Sequence, residues 1–180
     1  FLEEMLRDEH PRVREAALDQ MVRVGHIPRV IDGVDDPSLL QKWARLKIPE
    51  MIESEDVTSI AELCLDPSVS MRKIISENLD KTDWLDWPAV VDAAKQSADT
   101  LLLPRLLRSK RGEVADDLRL ELLQQADDAV RVRVLEHLHG RVVSSSIASI
   151  LPSLSEDENP LVAQASLSLI KDAETLGSQV

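Results

Sequence analysis

One short motif recurs along the chain, and its spacing limits the folds that this sequence can adopt. Each copy is a polar turn followed by an apolar position that begins a helical pattern. These apolar positions are Val13, Leu39, Val69, Val130 and Val162. They are separated by 26, 30, 61 and 32 residues, and 61 is close to two such intervals. Because repetition at a fixed period is the signature of repeat architectures, the spacing predicts about six units of roughly 30 residues.

The turn in front of each apolar position has the chemistry of a helix start. An Asp or Asn at the N-cap accepts a hydrogen bond from a free helical N–H group. A proline at the first helical position loses nothing, because its N–H would have no partner there. Three pairs share this form: Asp36-Pro37, Asp66-Pro67 and Asn159-Pro160. Apolar residues then recur every three or four positions, as Val130, Val134 and Leu138 do, which predicts one buried helix face.

A second, usually shorter helix is expected before each of these. The expected first helices lie near residues 1–8, 28–34, 56–65, 88–96, 113–125 and 144–154. The resulting units are approximately 1–25, 26–48, 49–81, 82–110, 111–141 and 142–180, in a single domain. A pair of helices cannot bury both of its apolar faces alone, so the units are expected to stack into an α-solenoid.

The composition agrees with stacked helices. Apolar residues make up 43% of the chain and charged residues 30%, while aromatic residues are only 2%. Aliphatic stripes with charged outer faces suit a period of 3.6 residues. Five glycines and the lack of an Asn-Gly or Asp-Gly hairpin motif argue against an all-β fold.

The residues from Arg7 to Leu18, RDEHPRVREAAL, resemble a HEAT repeat, and most closely the short bacterial kind named after phycobilisome lyases. Ile27-Pro28 and Leu151-Pro152 resemble the proline of the first HEAT helix. The resemblance implies an all-α, right-handed α-solenoid of about six HEAT-like helix–turn–helix repeats. The repeat positions are Pro11, Val13, Arg14, Asp36, Pro37, Asp66, Pro67, Val69, Val130, Arg131 and Pro160.

In HEAT repeats the arginine after the anchor valine commonly pairs with the turn aspartate of an adjacent unit. The resemblance therefore implies such a ladder for Arg14 and Arg131, rather than contacts to phosphate. The second unit lacks this arginine. The fourth carries Pro104 inside LLLPRLLR, where an internal proline would cost roughly 3 kcal/mol and kink the helix.

The function predicted from these features is that of a non-catalytic scaffold, which presents a concave helix face to a protein partner. The formal charge is −12, and a field of that sign repels nucleic acid and anionic membranes. The alternatives are a bilin lyase or isomerase subunit acting on a phycobiliprotein, which the resemblance suggests, and a nucleic-acid-binding HEAT-like protein. No sequence motif requires a cofactor or a metal.

The expected partner-binding residues are basic. Arg105, Arg108, Lys110 and Arg111 cluster in the run RLLRSKRGE. One interpretation is that these cations stabilise a helix C-terminus, where the dipole and the free carbonyls favour positive charge. The other is that they dock an acidic segment of a partner. Exposed positions on the second helices add the following candidates: Arg12, Arg72 and Arg133.

The three tryptophans are expected to be structural. Trp84 and Trp87 flank the turn before the helix that Pro88 opens, and Trp43 shares a helical face with Leu39 and Leu40. Exposed tryptophans in a turn would instead indicate an interaction hot spot. Cys64 lies on an apolar face and is expected in the core. The four histidines and the acidic turns at Asp35-Asp36 and 156–158 lack the spacing of a metal site.

Location and completeness are further expectations. A single cysteine forbids an internal disulfide, and no apolar run approaches the roughly 20 residues that span a bilayer. We therefore expect a cytoplasmic protein. Leu2, Met5 and Leu6 leave the first helix little polar face, so we expect the chain to be part of a longer protein or this end to be covered by a partner.

Overall fold

The computed structural model describes residues 1–29, 31, 34 and 36–177. Within these ranges the secondary structure is all-helical and contains no β-strand, so the all-α class is confirmed. The α-helices are α1 Leu2–Met5, α2 Pro11–Arg23, α3 Pro37–Glu53, α4 Val57–Cys64, α5 Val69–Leu79, α6 Pro88–Gln96, α7 Leu102–Leu107, α8 Glu113–Gln125, α9 Asp128–Leu138, α10 Ser145–Leu154 and α11 Pro160–Gly177. A short 3-10 turn, Trp84–Asp86, precedes α6.

The polar turns begin helices as their chemistry predicts. Asp36 caps α3 and accepts hydrogen bonds from the N–H groups of Ser38 and Leu39, at 3.1 and 3.2 Å. Asp127 caps α9 by accepting from Val130 N–H at 2.9 Å. Asn159 accepts from Leu161 N–H at 2.9 Å, directly before the proline that opens α11. Each cap satisfies N–H groups that the first helical turn leaves without a partner.

The helix that was expected to begin at Asp66-Pro67 begins two residues later, at Val69. Ser68, not Asp66, is the N-cap of α5 and accepts from Met71 N–H, while Asp66 accepts from Ser68 N–H at 2.7 Å. Because the helix begins at Val69, this side chain falls on the outer face and is 71% exposed. Met71 is buried in its place.

Helix α3 continues through the predicted boundary between residues 48 and 49. Pro49 is exposed, whereas Trp43, Ile48 and Met51 are buried on one face of the same helix. Proline has no N–H, so Arg45 loses its helical hydrogen bond, but the buried stripe continues past it. The buried face of α3 therefore determines where this helix ends, and Pro49 does not.

Two other expectations for the helices differ from the structure. Of the first helix expected at 28–34, the described residues 28, 29, 31 and 34 are not helical, and the remainder lies outside the described residues. Pro104 is the third residue of α7. In the first turn an N–H has no intrahelical acceptor, so the expected kink does not arise.

Backbone contacts divide the chain into two compact units, residues 1–98 and 99–180. In the first unit, α3 packs against both α2 and α5, while α4 packs against α3, α5 and α6. The interior is aliphatic apart from two tryptophans. Its most deeply buried large side chains are Leu18, Met21, Trp43, Ile48, Ile60, Ile75, Leu79 and Trp84.

The second unit repeats this arrangement with other helices. Helix α8 packs against α10, and α9 packs against α7 and α11. The consecutive helices α8 and α9 also pack together, as do α10 and α11. Its core consists of Leu123, Val130, Val134, Leu135, Leu138, Ile147, Leu151, Leu154, Val162 and Leu169. Helical hairpins that share a core in this way are typical of stacked repeats.

Candidate anion-binding site

The arginines of the repeat motif are held within the fold. Arg14 donates from Nε and Nη2 to the Asp36 carboxylate at 2.9 and 2.6 Å, and from Nη1 to the Asp8 carbonyl at 2.7 Å. Arg131 donates from Nη1 to Asp157 at 2.6 Å and also pairs with Asp128. Both contacts join an arginine to an aspartate in the next turn, as the HEAT resemblance implies. These two guanidinium groups are therefore engaged within the protein.

Arg72 was predicted to bind a partner, and the structure shows that this prediction is wrong because the side chain is buried. Its side chain is only 7% exposed in α5, and its Nη1 donates to the Asp66 carbonyl at 2.6 Å. The register of α5 turns this position inward, because the helix begins two residues later than predicted. Arg72 therefore holds the turn before its own helix and does not face a partner.

The other expected basic residues remain at the surface but differ in their surroundings. Arg12 is exposed on α2 in the first unit. Arg105, in the second unit, pairs with Asp99 at 3.1 Å. Lys110 is half-buried and its backbone carbonyl is occupied by an arginine from α8. Arg108 and Arg111 are exposed and have no ion pair with a carboxylate among the described residues.

Several basic side chains from successive elements of the second unit influence one another electrostatically, and we call them the basic cluster. Its members come from the end of α7, the following loop, α8, α9 and the loop after α9. They are Arg108, Arg111, Arg119, Arg133, His137 and Arg141. The fold thus gathers three of the sequence-predicted residues, Arg108, Arg111 and Arg133, with three that the sequence did not indicate.

Arg119 organises the α7–α8 loop. It is 3% exposed, and its Nη2 donates at 2.6 Å to the carbonyls of both Leu107 and Lys110, at the end of α7 and just after it. Its Nη1 pairs with Asp116 at 2.7 Å. These carbonyls are among those that a helix end leaves without a partner. Arg119, which lies outside the run RLLRSKRGE, therefore caps the end of α7.

Arg141 is the most unusual member of the basic cluster. Its guanidinium is partly buried, and its Nη1 atom is buried without a hydrogen-bond partner among the described residues. Burial is the main cause that lowers the pKa of Arg141, and the positive charges of Arg111, Arg119 and Arg108 lower it further. All the charges that shift this group are therefore cations.

His137 experiences the same field. Its ring is half-buried and donates a hydrogen bond to the Pro104 carbonyl. Burial lowers the pKa of His137, and so do the charges of Arg108, Arg133 and Arg141. A histidine with a pKa below its usual 6.5 is neutral at neutral pH, so it adds no further positive charge to the cluster.

Only one of the residues that sequence reasoning missed had a detectable pattern. Arg119 falls on the apolar stripe of α8 with Ala115, Leu118 and Leu123, so its spacing places it on the buried face. Arg141 is a single cation in a loop after Gly140, and nothing local distinguishes it. Its place in the cluster depends on how α7, α8 and α9 pack.

The arrangement is suited to binding an anion. Asp116 pairs with Arg119, and Glu136 lies 3.7 Å from Arg133, but Arg108, Arg111 and Arg141 have no such partner in the described part of the chain. Guanidinium groups present fixed forks of N–H donors that match carboxylate and phosphate oxygens. The basic cluster therefore has spare positive charge and one buried donor without an acceptor.

Other reactive side chains lie outside this cluster. Cys64 is buried, and burial raises its pKa to about 12, so its thiol is a poor nucleophile. Across residues 1–29, 31, 34 and 36–174, no three His, Cys, Asp or Glu side chains are placed to hold a metal ion. Asp35 of the predicted acidic turn lies outside the described residues. None of the described helices is both long enough and apolar enough to cross a membrane.

No protein-family model matches the chain, and neither a curated protein nor a solved structure matches it. The likeness to HEAT repeats therefore stays a prediction that depends on the residues quoted for it.

Proposed function

We propose that the protein is a non-catalytic scaffold of HEAT-like repeats, and that its basic cluster binds an acidic segment of a protein partner. The observation that carries this proposal is the convergence of Arg108, Arg111 and Arg141, which lack carboxylate partners, in a protein whose net charge is −12. Acidic side chains are abundant in this chain, yet none pairs with these three arginines among the described residues.

The energetics of the cluster support a role in binding. Cations that repel one another, one of them with a buried donor left without an acceptor, oppose folding. Ionisable groups with shifted pKa values are concentrated at functional sites. An anionic ligand would relieve the repulsion among the arginines. The basic cluster is therefore suited to a partner of opposite charge.

The packing of the helices supports the scaffold part of the proposal. The helices predicted to be the second helices of the repeats pack side by side within each of the two compact units. These are α2, α3 and α5 in residues 1–98, and α7, α9 and α11 in residues 99–180. The pairs Arg14–Asp36 and Arg131–Asp157 link successive turns. A right-handed α-solenoid of HEAT-like repeats would place such helices along one continuous face.

The two alternatives receive less support. A long polyanion such as duplex DNA would meet the repulsion of a −12 protein beyond the cluster, whereas a short acidic segment would meet only the local charge. A bilin would need aromatic or apolar walls. Trp43 and Trp84 are fully buried in the first unit and cannot stack on a pigment.

The test is a binding titration of the full chain with a fluorescein-labelled Glu-rich peptide, read by anisotropy. We expect binding that weakens by at least about tenfold in Arg108→Glu/Arg111→Glu, because close charge pairs of this kind commonly contribute 1.4 kcal/mol or more. The matched control is Arg12→Glu/Arg23→Glu, which reverses two exposed cations of α2 in the first unit. This control should bind the peptide as the parent protein does.

Melting curves of both variants show whether the fold is retained. Equal peptide binding by the two double variants would refute the site, and no binding by the parent protein would refute the proposed ligand class. Steeply salt-dependent binding of duplex DNA, tighter than that of the peptide, would favour the nucleic-acid alternative instead.

A further inference from the structure

We infer that the basic cluster recognises a phosphorylated side chain of the partner, a phosphate monoester, in preference to a carboxylate. This inference depends on the proposed function, because it specifies the chemistry of the acidic segment that the cluster would bind. It follows from the number of unpaired guanidinium groups, from the buried donor of Arg141 and from the way in which Arg119 fixes the loop between α7 and α8.

The first argument concerns charge and acceptors. Arg108, Arg111 and Arg141 offer three guanidinium groups, none of them paired with a carboxylate among the described residues. A carboxylate carries one negative charge on two oxygens. A phosphate monoester carries between −1.5 and −2 at neutral pH on three strong acceptor oxygens. The charge and the oxygen atoms of the phosphate dianion therefore match the three guanidinium groups better than the carboxylate of Asp or Glu does.

The second argument concerns the buried donor. The Nη1 atom of Arg141 is buried without an acceptor in the described structure. Leaving such a donor unsatisfied costs about 1–3 kcal/mol, or more when the group is charged. The Nη1 atom itself is closed to solvent, so a phosphate would compensate the charge of Arg141 through the exposed part of this side chain, where partial burial strengthens the interaction. We therefore expect Arg141 to contribute most to the preference for a phosphate over a carboxylate.

The third argument concerns preparation of the site. Arg119 holds the carbonyls of Leu107 and Lys110 at 2.6 Å, so the segment that carries Arg108 and Arg111 is fixed before any ligand arrives. Fixing a binding loop in advance reduces the entropy lost on binding. Arg119 itself is occupied by these carbonyls and by Asp116, so it positions the loop and contributes positive charge without needing to contact the ligand.

The experiment uses three peptides that are identical except at one central residue, which is phosphoserine, Glu or Ser. Each peptide is titrated into the 180-residue chain. We expect the phosphoserine peptide to bind at least about tenfold more tightly than the Glu peptide, and the Ser peptide to bind weakest. Arg141→Gln should reduce the preference for phosphoserine over Glu to less than about threefold, while Arg141→Lys should retain part of it.

Arg105→Gln is the matched control, because Arg105 lies in the same unit but is paired with Asp99. It should keep the full preference. If Arg141→Gln does not fold, as judged by circular dichroism, Arg111→Gln in the exposed loop takes its place with the same expected loss. Resonances of the His137 ring provide a second readout, since a dianion that neutralises Arg108, Arg133 and Arg141 should raise the pKa of His137.

The possible results separate this inference from the proposed function. If the phosphoserine and Glu peptides bind equally, the cluster recognises charge alone: the inference is wrong, and the proposed function stands. If neither peptide binds, both are wrong. A phosphoserine preference that survives Arg141→Gln and Arg111→Gln would place the phosphate elsewhere and overturn the inference. So would inorganic phosphate that binds as tightly as the phosphopeptide, because the ligand would then be a free phosphate.

Discussion

Asp36 divides its two carboxylate oxygens between two tasks. Oδ1 accepts the N–H groups that begin α3, while Oδ2 accepts Nε and Nη2 of Arg14, which lies 22 residues earlier. Asp157 makes related contacts in the turn before α11, where Oδ1 accepts from Asn159 N–H and Oδ2 accepts from Nη1 of Arg131. The hydrogen bonds from Arg14 and then from Leu39 N–H lower the pKa of Asp36. One side chain thus starts α3 and joins it to α2.

Arg14→Ala should therefore destabilise the fold. Asp36 would lose its charged partner while both groups are largely shielded from solvent, and charged hydrogen bonds of this type contribute about 1.5–3 kcal/mol. Urea unfolding followed by circular dichroism measures the change. Arg12→Ala is the control, since Arg12 is exposed on the same helix and should change stability by less than about 0.5 kcal/mol. Similar losses for both variants would contradict the structural role of Arg14.

The two buried tryptophans should respond differently to replacement by phenylalanine. Trp43 is 1% exposed and its Nε1 donates to the Pro28 carbonyl at 2.7 Å. Trp84 is 0% exposed, and its Nε1 has no partner among the residues that the structure describes. Trp43→Phe leaves a buried carbonyl unsatisfied, so it should cost about 1–2 kcal/mol more than Trp84→Phe. Equilibrium unfolding in guanidinium, monitored by far-UV circular dichroism, compares the two variants. A larger loss in Trp84→Phe would show that its indole N–H is engaged after all.

The corrected register of α5 can be tested with a neighbouring pair. Met71→Ala should destabilise by about 2–5 kcal/mol, because it empties a buried position. Val69→Ala removes a largely exposed side chain and should cost less than about 0.5 kcal/mol. Thermal melts of the two variants are sufficient to rank them. If Val69→Ala proved the more damaging change, the helix would instead begin at Asp66-Pro67 as its sequence suggests.

His137 gives stability a dependence on pH between neutral and mildly acidic conditions. Its pKa in the folded protein lies below the unfolded value of 6.5, so the unfolded chain binds the proton more tightly. The resulting stability is complete above pH 6.5 and is lost as pH falls through the folded pKa. The lowered pKa values of Asp36, Asp56, Asp128 and Asp157 act further down, below about 3.8.

Urea unfolding at about pH 7.5 and 5.5 should therefore show lower stability at the lower pH. His137→Gln should remove part of this difference. His10→Gln serves as the control, because that ring is exposed at the start of α2 and should leave the difference in place. A pH dependence unchanged by His137→Gln would place its origin elsewhere.

Local chemistry made much of the fold predictable. Helices α6, α8 and α10 lie within a residue of their expected ranges, since Pro88 opens one and polar turns flank the others. Two errors arose where local rules competed. Ser68 displaced Asp66 as a cap, and burial of Ile48 and Met51 carried α3 past Pro49.

The candidate site was harder to predict, because its members are far apart in sequence. The run RLLRSKRGE was visible in the sequence, but Arg141 joins it only through the packing of α7, α8 and α9. Charges that meet through tertiary structure leave no periodic pattern in the sequence. Arg119 was the exception, since a lone cation on an apolar stripe marks a buried charge that must find partners.

The hydrogen bonds from Arg119 to the carbonyls at the end of α7 also affect how this region folds. Helix α7 has only six residues, far fewer than the roughly 12–15 that an isolated helix needs to persist in water. It should therefore gain and lose its structure together with α8, as one cooperative element in hydrogen exchange. Amides of α7 should exchange at the rate set by the opening of α8, so the site can exist only while that longer helix is formed.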